Sequence, residues 1–186
     1  MNLYKTDFYY NISESATGES GGGAIAIEDE STVNIDGSLF EGNSTFQYGG
    51  AILVDGDKCT LNVNNAIFKG NSALKGAAIQ IGADNTDRAD VDIDNSLFYE
   101  NDVTGFNSAQ HHGTIFIDAE PYLGGSAIDF VITNSTVANN FRGSTSGQET
   151  AGIYIFGSRN NVDTDPDSDV ITIENCILWG LSLIHI

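Results

Sequence analysis

The side chains able to do chemistry in this sequence are mostly carboxylates. Asp163-Thr164-Asp165-Pro166-Asp167-Ser168-Asp169 sets four of them on alternate residues, and Glu174 stands twelfth counted from Asp163. Alternating hard oxygen donors closed by a bidentate glutamate are what Ca²⁺ takes as ligands. The loop departs from that pattern at Ser168, where the sharp turn calls for glycine, and at Pro166, which restricts the backbone. Calcium binding by Asp163, Asp165, Asp167, Asp169 and Glu174 is one reading, and a solvated acidic loop is the other. A second group joins Asp92 and Asp94 to Asn62 and Asn64, with Arg88 and Lys58 ahead of them at matching positions. Carboxylates that gather a cation, with a basic proton acceptor beside them, suit a lyase or hydrolase acting on a polysaccharide. Polar residues at these positions are equally what a solvent-facing strand shows.

Two weaker candidates complete the set. His111 and His112 are adjacent, so strand alternation would send them to opposite sides, and no third ligand stands nearby. A surface turn is expected there rather than a metal site. Phe116 and Tyr154 occupy equivalent positions in neighbouring repeats. They could form a sugar-stacking or partner-binding patch, or lie beneath the long loops 118-129 and 156-170 as a second small core.

What must position all of these is an internal repeat. One mark runs Gly22-Gly23-Ala24-Ile25, Gly49-Gly50-Ala51-Ile52, Gly76-Ala77-Ala78-Ile79, His112-Gly113-Thr114-Ile115 and, more worn, Ala151-Gly152-Ile153. A second runs from Phe8 to Asn11, Phe40 to Asn43, Phe68 to Asn71, Phe98 to Asn101 and, with valine first, Val137 to Asn140. Between them lies an alternating segment, from Val33-Asn34-Ile35 to Ile171-Thr172-Ile173. Five coils are therefore expected, each with two clearly alternating strands and a shorter third. Apolar residues recur at period two within the strands and at the same place in every coil, and helical periodicity is absent. Stacking like on like gives a parallel β-helix with coils about 4.8 Å apart.

The corners carry their own signals. Gly37, Asn65, Asn95, Asn134 and Asn175 share one column, where asparagine tolerates a left-handed backbone and its amide can bond along the stack. Asn43, Asn71, Asn101 and Asn140 are expected to form a second column of the same kind, and Phe40, Phe68 and Phe98 an interior aromatic ladder. Cys59 and Cys176 fall three coils apart, about 14 Å, too far for a disulfide, so both are expected as free thiols with Cys176 buried.

Composition narrows the function classes. The 186 residues carry 26 acidic and 7 basic side chains, for a net charge of -19. Such a surface repels nucleic acid and anionic membranes, and few cations remain to grip an anionic sugar. No apolar stretch is long enough to span a bilayer. Because Phe8 already belongs to a repeat mark, the chain is expected to be cut from a longer protein at both ends. Residues 1-180 form the β-helix domain, whereas 181-186, with His185, read as sequencing-adapter translation and are set aside.

The tandem Gly-Gly-Ala-Ile and Phe-x-x-Asn marks over residues 8 to 180 resemble the repeats of the polymorphic outer membrane proteins, whose autotransporter-like passenger is a right-handed parallel β-helix. The resemblance implies export, display at the outer cell surface, and adhesion to a host-surface protein or a carbohydrate. On that basis the expected function is a non-enzymatic scaffold or adhesin that presents loops. A carbohydrate-active β-helix enzyme is the alternative.

Overall fold

The computed structural model describes residues 1-14, 21-82, 88-104, 112-118, 127-143, 152-156 and 170-180. Among these, all strand pairing is parallel, and the strands form four sheets wrapped around one core. The first sheet stacks Asn2–Tyr4, Thr32–Asp36, Cys59–Asn64, Arg88–Asp94, Ala127–Thr133 and Val170–Glu174. The second stacks the Phe-x-x-Asn strands, from Phe8–Tyr9 to Ile177–Trp179. A third is built from two-residue strands such as Ser44–Thr45 and Ser72–Ala73, and the fourth runs from Ile25–Ile27 to Ile153–Phe156. The architecture is a parallel β-helix.

Two features depart from expectation. Each complete coil has four strands rather than three, because the turn after the Phe-x-x-Asn asparagine holds a two-residue strand too short to show a period. The first and second sheets hold six strands, not five: Asn2–Tyr4 is a further copy of the alternating segment, with Leu3 opposite Ile35, and Ile177–Trp179 a further copy of the Phe-x-x-Asn strand, with Leu178 opposite Val137.

Register is unshifted along the stack. Ile25, Ile52, Ile79, Ile115 and Ile153 face one another in turn. So do Ile35, Val63, Ile93, Ile132 and Ile173. A slip of one residue would turn every one of these outward. Most are fully buried, and each such side chain contributes about 1.5–3 kcal/mol before the entropy of ordering the chain is set against it. The stack frays at the last described coil, where Ile173 is 38% exposed. Cys176 is accordingly half-buried instead of buried, while Cys59 is buried, and neither is in a disulfide.

The rings of Phe8, Phe40, Phe68 and Phe98 stack with centroids 4.7, 4.8 and 4.7 Å apart and planes within 7° of parallel. That spacing is the strand spacing, so the ladder follows from register. Three residues on, Asn43, Asn71 and Asn101 are wholly buried. Each Nδ2 gives one hydrogen to the Oδ1 of the next asparagine, at 2.9–3.0 Å, and the other to a phenylalanine carbonyl of the preceding coil, at 2.9–3.0 Å. Each Oδ1 also receives the backbone N–H of the preceding asparagine, as Asn43 N–H to Asn71 Oδ1 at 3.0 Å. Every donor of the buried amide is thus used.

This column is not left-handed, contrary to expectation. The strained corner is the residue before it: Gly42, Gly70, Glu100 and Asn139 have φ of 67°, 60°, 57° and 52°. The other corner behaves as read, with Gly37, Asn65, Asn95, Asn134 and Asn175 all between 47° and 66°. The glycine mark divides two tasks: Gly49 sits at φ 64°, and a Cβ on Gly50 would meet the Ala77 carbonyl oxygen at 2.1 Å.

Replacing Asn71 by alanine strands two donors of Asn43 inside the core and takes one hydrogen bond each from the Phe40 carbonyl and from Asn101 Oδ1, which keeps the residue-71 backbone N–H. Urea unfolding of Asn71→Ala is expected to show a loss of about 3–5 kcal/mol, against less than about 1 kcal/mol for the outward Asn34→Ala. Equal losses would contradict the ladder's structural role.

Candidate functional site

The outward side of the first sheet is where polar residues gather. Strand alternation sends Asn2, Asn34, Asn62, Asp92, Val131 and Thr172 into one outward column. Tyr4, Asp36, Asn64, Asp94, Thr133 and Glu174 fill the next. Between them runs a trough of about 500 Å³ that reaches from Asn2 to Thr133. Sequence spacing placed Asp92 and Asp94 beside Asn62 and Asn64, and the structure has them there, Asp92 opposite Asn62 and Asp94 opposite Asn64.

Hydrogen bonds tie part of this face together. Asn34 donates to Asn2 Oδ1 and Asn62 to Asn34 Oδ1, both at 2.7 Å. Asp94 Oδ1 accepts from Asn134 Nδ2 at 2.7 Å and from Thr133 Oγ1 at 2.8 Å. Those two donors, the Asn134 amide first, hold the Asp94 carboxyl below its usual range. Asp36 accepts from Asn65 at 2.9 Å.

The basic candidates stand elsewhere. Lys58 turns the corner before Cys59 at φ 57°, with its ammonium 2.9 Å from Asp57 and 3.5 Å from Glu30. The Asp57 carboxylate beside it, then Glu30, raise its pKa above the usual lysine value. A proton acceptor needs the opposite shift. Four residues of extended strand, about 13 Å, separate Lys58 from Asn62 along the sheet. Arg88 opens its strand on the outward side, the same four residues from Asp92; a guanidinium gives hydrogen bonds and takes no proton.

Other readings change with the fold around them. Phe116 is buried, 1% exposed, and its ring stacks on half-buried Tyr154 with centroids 5.7 Å apart and planes 3° from parallel. Lys75 Nζ lies 5.0 Å from the Phe116 ring centre, and Leu53 and Gln80 in the same outward column are buried too. Burial raises the Tyr154 pKa. His112 is not on a surface turn: it is 1% exposed, in the row of Gly49 and Gly76. His111 lies outside the described residues, as do Asp163, Asp165, Asp167 and Asp169. Glu174 is described and exposed, beside Thr133 at the end of its column. Among the described residues no three carboxylate, histidine or cysteine side chains are grouped as a metal site, and no helix is long and apolar enough to cross a membrane.

Sequence reasoning missed that Asn2 and Tyr4 extend the trough and that its amides are linked. An asparagine recurring at Asn2, Asn34 and Asn62 was the available signal. Comparison with protein-family models, with curated proteins and with solved structures finds no match for this chain.

Asp94 supplies a pH test of the geometry. Its folded pKa is depressed, so its contribution to stability is present above the usual value of 3.8 and is lost as the pH falls through the lowered midpoint. Asn134→Gly keeps the left-handed corner and removes the first donor. Carboxyl NMR titration is expected to place the Asp94 midpoint higher in that variant; an unchanged midpoint would refute the assignment.

Proposed function

We propose that this chain is a non-catalytic β-helix scaffold, exported and displayed on the outer cell surface in the manner of the polymorphic outer membrane proteins, which presents its outward face and loops to a partner. The observation that carries this reading is how the repeated polar side chains are used. Asn43, Asn71, Asn101 and Asn140 are buried and bonded along the axis, so the repeat's most regular polar residue builds the rod. Such a rod suits length, rigidity and resistance to proteases. The acidic surface fits a protein that stays soluble and single in an extracellular medium.

One observation favours the enzymatic reading: the trough that holds Asp92 and Asp94 two residues apart on the outward side of one strand. Against it, Lys58 is held protonated by Asp57 and Glu30, away from those carboxylates. Among the described residues the trough lining contains no lysine or arginine to neutralise a uronate.

Incubation of the protein with polygalacturonate, alginate and neutral glucans, followed by chromatography of the products, is expected to show no chain shortening. Shorter products that vanish in Asp92→Asn would overturn the scaffold reading in favour of the enzyme.

A further inference from the structure

The outward amide ladder has a direction and an unfinished end. Asn34 and Asn62 each give an Nδ2 hydrogen to the Oδ1 of the preceding coil, so each Oδ1 faces the coil that follows. The residue following Asn62 in this column is Asp92. A carboxylate has no hydrogen to give at neutral pH. Asn62 Oδ1 and the Asp92 carboxylate therefore meet as two acceptors in the wall of the trough, and the group that would complete the ladder is a donor, best a cationic one. The charge of the trough points the same way. Asp36, Asp92 and Asp94 line it, with no lysine or arginine among the described lining residues, on a chain of net charge -19.

We propose that this trough binds a linear amino-sugar polymer, with one protonated primary amine seated between Asn62 Oδ1 and Asp92. An ammonium carries three hydrogens, enough to serve both acceptors and one neighbour. The trough runs along the stack, where each coil advances about 4.8 Å, close to the advance of one ring in a 1,4-linked pyranose chain. Asp36 and Asp94 share a column two coils apart. That separation, about 10 Å, matches the alternate rings of such a chain, which turn their amines to the same side. An extended basic peptide places same-side residues about 7 Å apart, which fits neither one coil nor two. The ring hydroxyls would meet the outward amides of Asn34 and Asn64. This assignment rests on reading the chain as a non-catalytic binder.

Isothermal titration of the protein with a fully deacetylated glucosamine hexasaccharide tests it, with the N-acetylated hexasaccharide and hexalysine as comparisons. Binding is expected for the free-amine sugar alone and should weaken as salt rises. Asp92→Asn should cost roughly tenfold or more in affinity, since a hydrogen bond to a charged group is lost. The same change supplies an Nδ2 to Asn62, so its melting temperature should equal or exceed that of the parent, which separates lost binding from lost fold. No binding of the free-amine sugar, equal binding of the acetylated sugar or of hexalysine, or full affinity in Asp92→Asn would overturn the proposal. Binding with shortening of the hexasaccharide would overturn the non-catalytic reading on which the assignment rests, whereas absence of binding would overturn the assignment alone.

Discussion

A buried asparagine must find two acceptors and supply two, and in this fold only the coils above and below can provide them. The Asn43, Asn71 and Asn101 amides are wholly inside the molecule, and each is bonded forward to the next amide and backward to a phenylalanine carbonyl. Apolar contact alone would tolerate a coil sliding or rotating slightly on its neighbour, since dispersion has little direction. The amide ladder tolerates neither, because a displaced coil would leave buried donors unpaired. Aliphatic columns supply most of the driving force, and the asparagines fix where each coil sits. The Phe8 to Phe98 ring stack and the unshifted register of the isoleucine columns follow from that one constraint.

The same constraint frees the rest of the chain to vary. Corners set by left-handed residues such as Gly49, Asn95 and Glu100 recur from coil to coil, while the sequence between the repeat marks changes in length. Connections that leave from the fourth sheet can lengthen from one repeat to the next without moving its strands. The outward side of the first sheet is a by-product of the stacking as well. Alternation puts every second residue there at a fixed spacing, so any polar pattern written into the strands becomes a linear array along the rod. Asn2, Asn34, Asn62 and Asp92 are such an array.

The sequence was legible where identity and spacing both repeat. Ile52 and Ile79, Phe40 and Phe68, and Asn65 and Asn95 lie 27, 28 and 30 residues apart within repeated marks, and their partners could be named before any geometry was known. Legibility failed where an element was too short or a side chain's role depended on direction. Ser44–Thr45 offers two residues, below any period, and Asn2–Tyr4 has Leu3 as its one inward residue. That Asn71 is a buried bridge while Asn65 is an exposed left-handed corner cannot be read from residue type, because asparagine serves both tasks. His112 looked like part of a polar loop, yet it is buried, aligned with Gly76 at a position that is glycine in the three preceding copies. For the candidate site, the grouping of Asp92 with Asn62 was visible in the spacing. The separation of Lys58 from it was not, because Lys58 takes its partners Glu30 and Asp57 at a corner that the strand pattern does not describe.

Hydrogen exchange of the side-chain amides measures the central constraint directly. Nitrogen-edited NMR in deuterated buffer resolves each Asn Nδ2 group and follows its loss of signal. If the buried ladder holds the coils in place, the Asn71 and Asn101 amides exchange only on global unfolding, while those of Asn34 and Asn95 exchange at once. Equally rapid exchange at Asn71 and Asn34 would contradict the account.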